Sequence, residues 1–120
     1  VLTPEEQKKY AAGWRKRRQA DEHRLQEQHT TLLDRASRVA SLMRERFGAE
    51  KIILFGSVAT GRVWAHSDLD LAVLGLPQEQ YLEAFWEASE LARPFQLDLL
   101  LMESASVSLR RRLEQEGVEI

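Results

Sequence analysis

The stretch IILFGSVATGRVWAHSDLDLAVL, residues 52–74, decides the fold. It opens within KIILF, a short apolar run between Gly48 and Gly56 with the length and composition of a buried strand. It closes in DLDLAVL, which alternates and then becomes continuously apolar, a second strand. Between them stands Gly56-Ser57, and at the far end Asp68 and Asp70 sit among leucines. A carboxylate in a sheet that buries apolar surface is costly. Side chains two apart on a strand share a face, so Asp68 and Asp70 project together while Leu69 and Leu71 face the core.

Downstream, PQEQYLEAFWEASELA has a helical pattern, with Tyr81, Leu82, Phe85, Trp86 and Ala88 to Leu91 as its apolar face and Pro94 as its stop. Phe85 and Trp86 are expected in the core. FQLDLLLM is a third strand in which Leu97 and Leu99 take the core face and Asp98 the other. If that strand neighbours the second, Asp68, Asp70 and Asp98 converge. SVSLRRRLEQEG reads as a last helix ending at Gly117, with Arg110-Arg111-Arg112 placed to offset the helix dipole and 118–120 opening a further element.

Upstream, Thr3, Pro4 and Glu6 form a helix-start signature, and helix formers run to Phe47 with only Gly13 interrupting. Leu25, Leu32, Ala36, Val39 and Met43 line one face. Unbroken, this helix would be a rod of roughly 66 Å, more than a small domain covers. Either it breaks near His29-Thr30-Thr31, or its first half projects and packs on another chain. Tyr10 and Trp14, four apart beside Arg15-Lys16-Arg17-Arg18, resemble an interface anchor with a charged rim. The division expected is a helical extension over 1–33 and a domain over 34–120.

The 120 residues suffice for one core, and 43% hydrophobic with 30% charged residues describes a folded domain rather than a disordered chain. No cysteine means no disulfide and no thiolate zinc site, which suits a reducing compartment. With no membrane-length apolar run and no secretory signal at VLTPEEQKKY, the expected location is cytoplasmic. The net charge of -2 divides into +4 over residues 1–47 and -6 over 48–120, so the two parts present different surfaces.

Three adjacent carboxylates repel and raise one another's pKa unless a cation lies between them, and Mg²⁺ suits an all-oxygen site. Gly56 permits close approach of a phosphate, Ser57 adds a hydroxyl donor, and SVATG can form a short turn with free N–H groups. A phosphate cradle beside a carboxylate cluster is the layout of metal-assisted phosphoryl chemistry. An EF-hand is excluded because Leu71 and Ala72 stand where the loop needs glycine and oxygen ligands. A P-loop is excluded because no Lys-Ser/Thr follows Gly61. Trp64 either stacks on a base or packs on its own domain, His66 is a solvated loop residue, and His23 and His29 lie on different helix faces.

Gly56-Ser57, ten residues, then Asp68-Leu69-Asp70 resembles the Gly-Ser-x10-Asp-x-Asp signature of the DNA polymerase β-like nucleotidyltransferases. FGSVATG, SDLDLAVL and QLDLLLME most resemble the minimal nucleotidyltransferases, antitoxin partners of HEPN-domain toxins, over about residues 34–120. The resemblance implies an α/β fold: a small mixed sheet with helices packed on one face, here with a long N-terminal helical extension. It implies that Asp68 and Asp70 hold Mg²⁺, that Asp98 completes the metal and catalytic carboxylates and assists deprotonation of the attacking hydroxyl, and that Gly56 and Ser57 bind the triphosphate. The implied reaction is transfer of AMP from ATP to a tyrosine of a HEPN toxin. Separately, the aromatic and basic N-terminal helix is expected to dock on a second chain, either the toxin partner or another copy as a homo-oligomer. Ala59-Thr60-Gly61 departs from the Ala-Arg-Gly of many relatives. The alternative is therefore an inactive antitoxin that neutralises its partner sterically. A small-molecule acceptor would call for a second domain, and RNA binding by residues 8–18 is opposed by the acidic remainder.

Overall fold

The computed structural model describes residues 2–56 and 68–120. Helix α1, Pro4–Phe47, opens with a full capping box: Thr3 accepts from the Glu6 amide, and Glu6 accepts from the Thr3 amide. It closes at Gly48, whose φ of 70° lets the Ala49 amide donate back to the Met43 carbonyl at 3.0 Å. Thr30 and Thr31 do not break it. Their hydroxyls donate to the Gln26 and Glu27 carbonyls at 3.0 and 2.9 Å, so the competing hydrogen bonds are made within the helix. Of the two outcomes posed by its length, the helix is continuous and its first half projects, giving a molecule 68 Å long. Leu32, Ala36, Val39, Ala40, Met43 and Phe47 are buried, whereas Leu25, on the same stripe, is 37% exposed.

Four strands form one mixed sheet: β1 Lys51–Phe55, β2 Leu69–Leu74, β3 Leu97–Leu101 and β4 Val118–Glu119, in the order β3-β2-β1-β4. β1 is antiparallel to β2 and β4, while β2 and β3 are parallel. A parallel pair needs a crossover, which is supplied by α2, Tyr81–Ala92. Ile52, Leu54, Leu69, Leu71, Val73 and Leu99 present one face of the sheet to α1 and α2, and this is the main core.

The face that α2 turns inward differs from the expectation. Its fully buried residues are Ala84, Ala88 and Ala92, four apart, with Tyr81 and Phe85 partly buried beside them. Small side chains bring the helix axis close to its neighbours, and the large residues on the other side then face solvent. Leu82 and Trp86 are 79% and 71% exposed, so Trp86 is not a core residue. Arg46 of α1 reaches across to Glu83 and Glu87 and fixes the two helices together.

On the opposite face Ile53, Ala72, Met102 and Leu113 form a smaller cluster, capped by α3, Val107–Glu116. Arg110 lies inside α3 and donates to the Met102 carbonyl at 2.9 Å, so it ties the helix to the end of β3 rather than offsetting a dipole in the last turn. Gly117 ends α3 with a φ of -78°. A Cβ there would run into the Leu113 carbonyl and Ile53, so this glycine serves close approach, not a left-handed cap. Val118 and Glu119 then pair with β1. Among the described residues no helix is long and apolar enough to cross a membrane.

Candidate active site

The parallel register sets Leu69 against Leu97, Asp70 against Asp98 and Leu71 against Leu99. Alternation along both strands sends the leucines to the main core and leaves Asp70 and Asp98 side by side on the other face. Asp68 stands one residue before β2 and is exposed, as is Asp98, whereas Asp70 is half-buried. Across the sheet, Phe55 is the register partner of Asp70, which places Gly56 directly beside that carboxylate. Gly56 has a φ of 76°, and a Cβ on it would overlap Asp70 Oδ2. Glycine is required here twice over, by the left-handed backbone and by the approach of the carboxylate.

Burial, then the Asp98 carboxylate, then that of Asp68 push the Asp70 carboxyl up to about 6. Neighbouring anions with no cation between them shift a pKa in this direction. Among the described residues no group of three or more acidic, histidine or cysteine side chains is arranged to hold a metal ion as it stands. The donor chemistry nonetheless fits a hard divalent cation. The three groups offer only carboxylate oxygens, and their mutual repulsion on Asp70 is what such an ion would relieve.

Tyr81 is a neighbour that its place in an apolar pattern concealed. Its hydroxyl donates to the Leu99 carbonyl at 2.7 Å, tying the first turn of α2 to β3, and its ring stacks on Phe85. Burial and, second, Asp98 raise its pKa. The signal available in the sequence was that a tyrosine entering a core needs a partner for its hydroxyl. Ser57, together with Thr60, Arg62, Trp64 and His66, lies outside the described residues. His23 pairs with Glu27 at 2.9 Å on the exposed part of α1.

Asp70 and Asp98 thus stand side by side on adjacent parallel strands, closed on one side by a glycine at the end of the neighbouring antiparallel strand. Residues 37–120 match the family described as polymerase beta, nucleotidyltransferase, and the chain belongs to that family. No curated protein matches it. Among solved structures it is similar to a candidate minimal nucleotidyltransferase at 28% identity, with 77% of this chain and 95% of that one covered and a TM-score of 0.65. It is also similar to a chain of a toxin–antitoxin complex with AMP-PNP, at 27% identity, 70% coverage of each chain and a TM-score of 0.61. A third likeness is one of fold alone. It is to a chain of the complex of tri-AMPylated Shewanella oneidensis HEPN toxin with its MNT antitoxin, at 24% identity, 73% and 70% coverage and a TM-score of 0.56.

Proposed function

We propose that this chain is the antitoxin of a HEPN toxin–antitoxin pair and acts by transferring AMP from ATP to a tyrosine hydroxyl of the toxin, in the cytoplasm. The observation that carries this reading is the Asp70–Asp98 register pair beside Gly56, with the Asp70 carboxyl pushed up to about 6 by burial first and by the Asp98 and Asp68 carboxylates after it. Support comes from the similar toxin–antitoxin complex that holds an ATP analogue. In this reading Asp68, Asp70 and Asp98 hold Mg²⁺, which when bound supplies Lewis-acid stabilisation of the phosphates. Asp98, the exposed member of the pair, accepts the proton of the attacking tyrosine. The tyrosine oxygen bonds to the α-phosphorus, the bond to the bridging oxygen breaks, and pyrophosphate leaves. Gly56 and Ser57 bind the triphosphate. Residues 34–120 form the transferase domain and 1–33 an extension.

The experiment is transfer of α-labelled AMP to a co-purified HEPN protein. Labelled toxin is expected with Mg²⁺, with loss of label in EDTA and with Asp70→Asn. A toxin silenced by the chain without acquiring label would overturn the transferase and leave the second reading, steric neutralisation. That reading is favoured by Thr60 standing where many relatives carry arginine.

A further inference from the structure

The buried stripe of α1 does not end where its domain ends. Traced back from Leu32, it continues through Gln28, Leu25, Asp21, Arg18, Trp14 and Ala11, with intervals alternating between four and three residues. Alternating four-three spacing is that of a coiled-coil seam, here with Ala11, Trp14 and Leu25 apolar and Arg18, Asp21 and Gln28 polar. From Leu32 onward the seam is buried against the sheet and α2. Further towards the N-terminus it opens: Gln28 is half-buried, Leu25 is 37% exposed, Trp14 62%, and Tyr10, flanking it, 65%. The polymerase β family match begins only at residue 37.

We infer that this exposed seam is the contact surface between two copies of the chain, paired antiparallel about a two-fold axis between Gln19 and Ala20. In an antiparallel pair each layer joins two seam positions whose numbers have a constant sum. The axis at this point sets Trp14 against Leu25, Arg18 against Asp21 and Ala11 against Gln28, each contact made twice. The indole covers a leucine, and the two charged seam residues meet opposite charges. Arg15 and Glu22 face each other along one edge. Parallel pairing in register would instead oppose Arg18 to Arg18 and Asp21 to Asp21. Like charges directly opposed cost stability, so the charge pattern selects the antiparallel arrangement. Asp21 already meets Arg24 of its own helix at 3.6 Å, but that pair is solvent-exposed and worth little. Along the other edge Arg17 faces Arg24, a like-charge pair at the rim where solvent screens it, so the two central layers decide the orientation.

The test uses the full chain and its mass in solution. The unmodified protein should be a dimer, and Trp14→Ala should raise the dimer dissociation constant by roughly tenfold or more. Arg18→Asp alone and Asp21→Arg alone should each be monomeric, since each places like charges in both central layers. Mixed in equal amounts, the two variants should form a heterodimer, because every central layer is then again of opposite sign. Intrahelical effects do not produce this rescue, and neither does docking on an acidic domain surface of another copy. A monomeric unmodified chain overturns the inference. So do an Arg18→Asp chain that remains dimeric and folded variants that stay monomeric when mixed.

Discussion

Asp70 carries an energetic cost that its surroundings do not remove. Its carboxyl titrates at about 6 in the folded chain, against about 3.9 when unfolded. Between these values the folded chain holds a proton that the unfolded chain has lost. Stability therefore falls as pH rises from about 4 to about 6, and the full penalty of about 1–3 kcal/mol stands at neutral pH. In metal-free buffer Asp70→Asn should abolish that slope and melt higher than the unmodified chain at pH 7. Adding Mg²⁺ should raise the melting temperature of the unmodified chain and leave the variant nearly unchanged. Melting curves with the same pH dependence in both proteins would show that Asp70 is not the group under strain. Burial of Asp70 beside two further carboxylates is thus a stability liability.

Along α1, one seam passes through two environments, and the contrast can be measured. Leu32 is fully buried and Leu25 is 37% exposed, though they are seven residues apart on one face. Leu32→Ala should cost about 2–4 kcal/mol as a cavity in the core, whereas Leu25→Ala should change unfolding of the dilute monomer by no more than about 0.5 kcal/mol. Equal costs at both positions would mean that the projecting half packs on its own domain. The same contrast explains what the sequence disclosed and what it withheld. Periodicity marked α1, the three longer strands and the alternation that brings Asp70 and Asp98 to one face, because each is a local pattern with a single geometric outcome. It misassigned the inner face of α2, where three alanines outrank Trp86 and Leu82: close axis approach, not side-chain size, chose the buried side. It also left the helix open to a break at Thr30-Thr31, since a hydroxyl that can end a helix can equally bond back into it. Tyr81 falls on the apolar face of α2, but the role of its hydroxyl is missed for a third reason. Its partner is a backbone carbonyl eighteen residues away, and no pattern within one element encodes that.

At the scale of the whole molecule a sheet holds the acidic cluster, and the first half of a 44-residue helix projects from it with Tyr10 and Trp14 exposed. The charge follows the same division, six cations and no acid over residues 8–18 against -6 over 48–120. If assembly and chemistry are separate, each should be removable without the other. Gly56→Ala forces a Cβ into the Asp70 carboxylate at a left-handed φ, so it should displace that carboxylate and reduce AMP transfer at least tenfold. The three atoms nearest that Cβ all belong to Asp70, so the dimer should persist. Arg18→Asp should give the opposite result: a monomer by mass whose labelling of the HEPN protein per chain is unchanged. Running both readouts on both variants makes the outcome unambiguous. A folded Arg18→Asp monomer that no longer transfers AMP would mean that the site is completed by the second copy, and the two halves of the chain would then have to be treated as one catalytic unit.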